Sequence, residues 1–199
     1  PARWREINTM TIAYGHGLAV SPLQLASGVA ALVNGGVLRP ATVFKRDPGK
    51  IPEGTAAISE ETSRHMRELM RLVVLYGTGK MANVPGYAVG GKTGTADKLM
   101  GRGYRRDARM ASFVGAFPIH APRYVVLIMV DEPKGNASTQ GYATGGWIAA
   151  PVVRRVVERL GPLVGLPPDD EIENPPMPPA GRPALAAVGE GGGGRLESH

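Results

Sequence analysis

The chain has 199 residues, of which 43% are apolar, 6% aromatic and 20% charged, as expected for one soluble domain with a sizeable core. It contains no cysteine, which excludes disulfides, thiolate catalysis and cysteine-ligated zinc within these residues. Its histidines, at positions 16, 65, 120 and 199, are scattered, so we expect no metal site. No apolar run reaches the roughly 18 residues of a membrane span and no signal peptide opens the chain, so we expect any anchor to lie outside it.

The net charge of +6 is unevenly distributed. Residues 162–199 hold six acidic and two basic groups, a net charge of −4, whereas the other 161 residues carry +10. A basic body suits an anionic polymer or membrane face, and it suits a merely solvated surface equally well. The basic residues do not form one stripe with interleaved aromatics, so we expect no nucleic-acid partner.

Two helices are predicted in the first half of the chain. The first begins at the N-cap Ser21 with Pro22 behind it and ends at 34–36, and its few charges predict that it is mostly buried. The second begins after Ser59 and ends at Gly77, and its arginines, including Arg71, are expected to face water.

Two strands and a third helix are predicted in the second half. Residues 109–117 and 123–130 are apolar runs separated by only five residues, which favours an antiparallel hairpin, and the second run is typical of a central strand. The last helix is expected over 146–160, with Pro151 tolerated near its start. In residues 162–199, 15 of 38 residues are Pro or Gly, so we expect a body of 1–161 and a disordered tail of 162–199.

The sharpest local motif is Gly90-Gly91-Lys92-Thr93-Gly94-Thr95-Ala96. One interpretation is a nucleotide-binding P-loop, because Gly86 to Thr93 satisfies G-x-x-x-x-G-K-[ST]. A P-loop must follow a buried strand and open a helix, and neither context is present: 80–85 is a poor strand, and glycines at 94, 101 and 103 oppose a helix. The other interpretation is a K-T-G motif on a strand with an accessible edge, where glycines allow close approach of a ligand.

The surrounding segments favour the K-T-G interpretation. They are Thr11-Ile12-Ala13-Tyr14-Gly15-His16-Gly17, Ser21-Pro22-Leu23-Gln24-Leu25, Asn34-Gly35-Gly36, Arg39-Pro40, Gly77-Thr78-Gly79, Gly86-Tyr87, Asp131-Glu132-Pro133 and Gly145-Gly146. In this order the chain resembles class B penicillin-binding proteins from about Ile7 to Leu160, and it looks most similar to their septal, cell-division branch.

The resemblance implies roles for individual residues. Lys92 would orient a substrate carboxylate and assist proton transfer, Thr93 would bind that carboxylate, Gly94 would allow close approach, and Thr95 would supply an oxyanion N–H. Tyr14 and His16 would lie beside the cleft, where many relatives have two tyrosines, and Tyr142 would line it. Asp131 and Glu132 are interpreted as strand-end residues and not as metal ligands.

The resemblance also implies a fold and an activity. The fold would be α+β, an antiparallel sheet flanked by helices as in penicillin-binding proteins and serine β-lactamases, and the intact domain would have five strands and a helical lobe. The activity would be cofactor-free acyl transfer through a serine of an S-x-x-K motif, on peptidoglycan stem peptides or β-lactams. The chain has neither S-x-x-K nor S-x-N, so we expect it to be the C-terminal half of a transpeptidase domain, inactive alone.

A non-catalytic penicillin-sensing module with the same fold stays open as an alternative, as does the P-loop protein. For the enzyme, the resemblance implies a place on the periplasmic face of a bacterial inner membrane and divisome membrane proteins as partners.

Overall fold

The computed structural model describes residues 4–177 apart from 14, 16, 48, 101, 102, 170 and 173, and it gives only the backbone of 99, 100 and 103–107. Five helices and five strands follow one another in this part of the chain. They are α1 (Glu6–Ile12), α2 (Pro22–Val33), β1 (Val37–Leu38), β2 (Thr55–Ala56), α3 (Glu60–Leu75), β3 (Gly90–Met100), β4 (Gly103–Phe117), β5 (Tyr124–Asp131), α4 (Gly145–Ile148) and α5 (Ala150–Leu163).

The main sheet has three antiparallel strands in the order β3-β4-β5. The predicted hairpin is confirmed, because β4 pairs with β5 from Met110 opposite Asp131 to Phe117 opposite Tyr124. The expectation that the second apolar run is a central strand is wrong for the described residues, where β4 is central and β5 is an edge strand. The sequence of β5 is continuously apolar because helices contact both faces of the strand. Strands covered on both faces typically lack the alternation of polar and apolar residues.

Alternation along β4 divides the core between the two faces of the sheet. Phe113 and Phe117 point into one cluster with α5, and Val114 and Ala116 point into a second cluster with α2 and α3. Helices from both ends of the chain therefore cover the sheet, as the sequence predicts. This α+β arrangement of three layers confirms the expected fold class.

The two predicted helix starts are confirmed in detail. Ser21 forms a capping box with Gln24, and the Ser59 hydroxyl accepts a hydrogen bond from the Thr62 N–H. The prediction that α2 is mostly buried is wrong for its N-terminal half, where Leu23 is 61% exposed. From Leu25 onward α2 packs against the sheet and α3, most closely around Val33.

Arg71 differs from the predicted water-facing arginines of α3. Its side chain is only 5% exposed, because the chain beyond α5 lies over it. Helical periodicity groups Arg71 with the polar side chains of α3, but Arg71 itself is covered by a segment whose Asn174 lies 103 residues further along the chain.

The segment after α5, residues 164–177, contacts the body in its described part. The Leu166 carbonyl accepts a hydrogen bond from the Tyr87 hydroxyl at 3.0 Å, and the Asp169 N–H donates to the Gly86 carbonyl at 2.8 Å. Ile172 packs on the cluster beside α2. The described residues of this segment therefore make specific backbone and apolar contacts with the body, and the expected disorder of 162–199 stays a prediction.

Candidate active site

The K-T-G motif lies on β3, with Lys92 opposite Val114 and Thr93 opposite Phe113 on β4. β3 is an edge strand of the described sheet, as predicted for a motif that must accept a ligand. The P-loop interpretation fails here, because Lys92 and Thr93 lie inside a strand and open no helix. Without a helix start, their backbone N–H groups cannot surround a phosphate in the P-loop manner.

Lys92 is exposed, as its proposed role requires. Its ammonium donates to the carbonyl of Thr93 at 2.9 Å and lies 3.4 Å from the Thr93 hydroxyl. The positive charge is therefore held beside the threonine of the motif, although strand alternation starts the two side chains on opposite faces.

The hydroxyl of Thr93 forms a hydrogen bond of 2.9 Å with the hydroxyl of Thr78. Thr78 lies in the loop after α3, and this loop approaches closely because Gly79 lacks a side chain: a Cβ there would be 3.1 Å from the ring of Phe113. Thr78 is a site residue to which our sequence analysis assigned no role. The available signal was its position between two glycines, Gly77 and Gly79.

Thr95 connects β3 to the start of α4. Its hydroxyl accepts a hydrogen bond of 3.1 Å from the Gly145 N–H. Gly145 sits over the sheet so closely that a Cβ would collide with the carbonyl of Ser112 and lie 2.6 Å from that of Gly94. Thr93 and Thr95 thus lie on one face of β3, and each hydroxyl is oriented by a protein partner.

The glycines of the motif pack closely against neighbouring residues, and the ligand-approach role expected for them stays a prediction. A Cβ on Gly91 would lie 2.5 Å from the Phe113 ring, and one on Gly90 would lie 2.5 Å from Ile119. A Cβ on Gly94 would lie 2.5 Å from the Ser112 hydroxyl. Gly91 excludes larger residues, because its Cβ would also meet the Val114 carbonyl, whereas the Ser112 hydroxyl beside Gly94 can rotate away.

Tyr142 is 54% exposed in the loop before α4, and its ring stacks on Trp147 with centroids 5.4 Å apart. The pair is carried by the same segment whose Gly145 contacts Thr95, which places an aromatic surface next to the K-T-G end of the sheet. Trp147 was not singled out from the sequence. Tyr14 and His16 lie outside the described residues.

Asp131 and Glu132, at the end of β5, both bind Lys98 of β3, at 3.0 and 2.9 Å. The hydrogen bond with Glu132, followed by that with Asp131, raises the pKa of Lys98. These contacts agree with their interpretation as strand-end residues. Among the described residues, no group of three or more His, Asp or Glu side chains could hold a metal ion.

The penicillin-binding protein transpeptidase domain model matches residues 1–158, four-fifths of the chain. The chain belongs to this family. The resemblance found on the K-T-G motif and its flanking segments is thereby confirmed.

Within the described residues, no helix has the length and apolarity needed to cross a bilayer.

Among curated relatives of this transpeptidase-family chain is a probable peptidoglycan D,D-transpeptidase FtsI of Caulobacter vibrioides, 45% identical over 175 residues, 83% of this chain and 30% of that protein. Stage V sporulation protein D of Bacillus subtilis is 37% identical over 172 residues, 81% of this chain and 26% of that protein. The chain thus spans less than a third of these relatives.

Solved structures give the same picture of the fold. The transpeptidase domain of Burkholderia pseudomallei penicillin-binding protein 3 matches with a TM-score of 0.74 and 42% identity, covering 84% of this chain and 49% of that one. Penicillin-binding protein 3 of Mycobacterium tuberculosis, complexed with ampicillin, matches with a TM-score of 0.73 and 29% identity, covering 88% and 42%.

Proposed function

We propose that this chain supplies the K-T-G half of the active site of a serine-type peptidoglycan D,D-transpeptidase that acts in septum formation. The proposal rests on one arrangement: Lys92, Thr93 and Thr95 sit together on the edge strand β3, next to Thr78 and Gly145. Several relatives are named D,D-transpeptidases, including FtsI, which supports the reaction and the septal process.

The reaction would begin when a serine oxygen attacks the carbonyl carbon of the penultimate D-alanine of a stem peptide. The C–N bond to the terminal D-alanine breaks, the leaving amine takes up a proton, and an acyl ester remains on the serine. An amine of a neighbouring stem peptide then attacks the ester and releases the serine. A β-lactam would enter the first step and stay as the acyl ester.

The chain's own residues would serve the first step. The ammonium of Lys92 supplies positive charge beside the Thr93 hydroxyl, where the terminal carboxylate of the substrate would dock. The backbone N–H of Thr95 would stabilise the oxyanion together with that of the serine. Tyr142, stacked on Trp147, would line the cleft, and Tyr14 and His16 would stand beside it.

The serine would come from sequence upstream of Pro1, because none of the seven serines here lies in S-x-x-K. The same upstream region would carry the membrane anchor, so that the domain faces the periplasm and meets divisome membrane proteins. The reaction uses general acid–base and electrostatic catalysis, and it needs no cofactor.

The test is Lys92→Ala in the full-length protein, with acylation by a β-lactam as the measurement. Removal of one electrostatic stabiliser from an acyl-transfer site costs about 10² to 10³ in rate. The free energy of unfolding should change by less than about 0.5 kcal/mol, because Lys92 is exposed.

Lys98→Ala is the matched control, because Lys98 lies on the same strand but binds Asp131 and Glu132 instead of the motif. It should acylate at nearly the wild-type rate. Wild-type acylation by Lys92→Ala would refute the assignment of the motif, and a large loss of melting temperature would make Lys92 a structural residue.

A further inference from the structure

Arg71 is a buried cation whose described hydrogen-bond partners are all neutral. Its guanidinium donates through Nη1 to the Val89 carbonyl at 2.7 Å and to Asn83 Oδ1 at 3.1 Å. Nε and Nη2 both donate to Asn174 Oδ1, at 2.9 and 2.7 Å. Burial lowers the pKa of Arg71, and among the described residues no carboxylate forms an ion pair with it.

The position of Arg71 connects it to the K-T-G strand. Val89 is fully buried and lies three residues before Lys92. It directly precedes Gly90, the first residue of β3. The hydrogen bond from Nη1 to the Val89 carbonyl therefore connects α3 to residues 86–89, which directly precede the strand that carries the motif.

The C-terminal segment, residues 164–177, also contacts residues 86–89. Leu166 and Asp169 bind Tyr87 and Gly86 through the hydrogen bonds described above. Gly86 adopts a φ of 74°, and a Cβ on it would lie 2.6 Å from Pro168. Residues 86–89 are thus fixed between α3 and the C-terminal segment, with Asn174 joining the two through Arg71.

We propose that Arg71 and Asn174 are positioning residues for acylation, which set the placement of β3 and hence of Lys92 and Thr93. This inference rests on the proposed transpeptidase function and adds a determinant to it. Neither side chain would touch substrate, because Arg71 reaches the motif only through Val89.

Asn174 is exposed, and its loss would remove the acceptor shared by Nε and Nη2 and leave the guanidinium held only through Nη1. A cavity of about 340 Å³, lined by Arg64, Arg67, Ile119, His120 and Pro175 among others, adjoins Arg71 and gives it space to move. A shift of the guanidinium would weaken its hold on the Val89 carbonyl. Displacement of catalytic groups by about 1 Å can cost up to 10²-fold in rate.

The experiment uses the full-length protein with the upstream serine. Asn174→Leu removes the acceptor, Asn174→Asp keeps it and adds a charge, and Arg71→Lys keeps only a smaller cation. Stopped-flow acylation by a chromogenic cephalosporin gives the acylation rate constant and the dissociation constant separately, per titrated active site, well below the lowest melting temperature.

We expect Asn174→Leu to lower the acylation rate constant roughly tenfold with a smaller effect on the dissociation constant. Asn174→Asp should keep the rate within about twofold and raise the melting temperature, because an ion pair with Arg71 replaces a hydrogen bond to a neutral amide. Arg71→Lys should fall between them. Glu171→Gln, an exposed change on the same segment, is the matched control and should behave as wild type.

A purely structural role is tested by Val33→Ala, which removes buried volume from the cluster that also contains Ala88 and lowers the melting temperature, but leaves every hydrogen bond of Arg71 and Asn174 in place. The positioning role would be overturned if the acylation rate constant of Asn174→Leu equalled that of wild type, or if it fell no further than that of Val33→Ala. If Asn174→Leu does not fold, Asn174→Ser carries the same comparison. Failure of the wild-type protein to acylate would instead refute the proposed function.

Discussion

The hydroxyls of Thr93 and Thr95 are already oriented in the free protein. Thr93 shares a hydrogen bond with Thr78, and Thr95 accepts one from the Gly145 N–H. A carboxylate that reaches β3 would meet groups whose rotamers are fixed by neighbours, so little ordering remains to be done on binding. Thr78 therefore belongs to the site although it lies outside the motif.

Thr78→Val tests this contribution, because valine keeps the shape of threonine and removes its hydroxyl. A typical hydrogen bond contributes about 0.5–1.5 kcal/mol net, so the ratio of acylation rate to dissociation constant should fall roughly 2- to 10-fold. The measurement is β-lactam acylation of the full-length protein.

Thr62→Val is the control for Thr78→Val, since Thr62 also shares an exposed hydroxyl–hydroxyl bond, with Ser59, at the start of α3. That variant should keep the wild-type acylation ratio. Equal ratios for the two variants would remove Thr78 from the site.

The exposure of Lys92 is predicted correctly from the sequence, whereas the predicted exposure of Arg71 is wrong. The exposure of Lys92 follows from the chemistry of a single motif, which the chain displays in seven consecutive residues. The burial of Arg71 depends on Asn174, and no local pattern links positions 71 and 174. Gly91 and Gly94 fall between these cases, because the motif identifies them but only the structure reveals Phe113 and Ser112 beside them.

At the scale of elements, the contact between α4 and β3 depends on the absence of a side chain at Gly145. A Cβ there would meet the backbone carbonyls of Ser112 and Gly94, neither of which is the flexible end of a side chain. The start of α4, and with it the Gly145 N–H that binds Thr95, can reach the sheet only if this residue is glycine.

Gly145→Ala should therefore destabilise the protein by about 1–3 kcal/mol, the usual cost of overpacking. Gly28→Ala in α2 is the matched change: no atom lies within 4 Å of its added Cβ, and alanine suits a helix better. It should stabilise by about 0.4–1 kcal/mol. Thermal melting of both variants is the measurement, and a Gly145→Ala protein that melts no lower than wild type would contradict the close packing.

Most elements with local signals were predicted within a few residues of their ends, but β4 begins at Gly103, well before the predicted start at residue 109. The caps at Ser21 and Ser59 specify α2 and α3, and the apolar runs specify β4 and β5. Helix α1, residues Glu6–Ile12, was not predicted, because its 7 residues are too few to show a sustained helical periodicity. The predicted last helix is two helices that meet at Ala149, just before Pro151.

At the scale of the whole molecule, the described chain leaves apolar surface uncovered on one side. Trp4, Ile7, Met10, Leu18 and Leu23 are each more than half exposed. The outer edge of β5 is also unpaired within the described residues. Such surfaces are typical of interfaces, and they are where the further strands and the helical lobe expected from the resemblance would pack.

The layered architecture could be anticipated from the family resemblance, but the position of the C-terminal segment could not. Composition averages over all 38 residues after Gly161 and predicts disorder for the whole stretch. The contacts of Leu166 and Asp169 with residues 86 and 87 use single backbone groups, which leave no signature in composition.

The last prediction concerns the reactivity of the 199-residue chain by itself: it should form no covalent adduct with a fluorescent penicillin. Four serines of the described residues have other hydrogen-bonding roles. Ser21 and Ser59 cap helices, Ser63 is buried and donates to the Leu32 carbonyl, and Ser138 donates to Asn136. No described serine hydroxyl is hydrogen-bonded to a lysine, the base that an S-x-x-K serine would have.

Ser112 makes the test a sharp one, because it is the serine paired directly with the motif, opposite Gly94 on β4. Proximity to K-T-G without an activating lysine should leave its hydroxyl as unreactive as that of any other serine. Intact-protein mass spectrometry after incubation with the penicillin should give only the unmodified mass, while the full-length protein gains one acyl group. An adduct mapped to Ser112 would mean that this chain contains its own nucleophile. That result would contradict the proposal that the nucleophilic serine lies upstream.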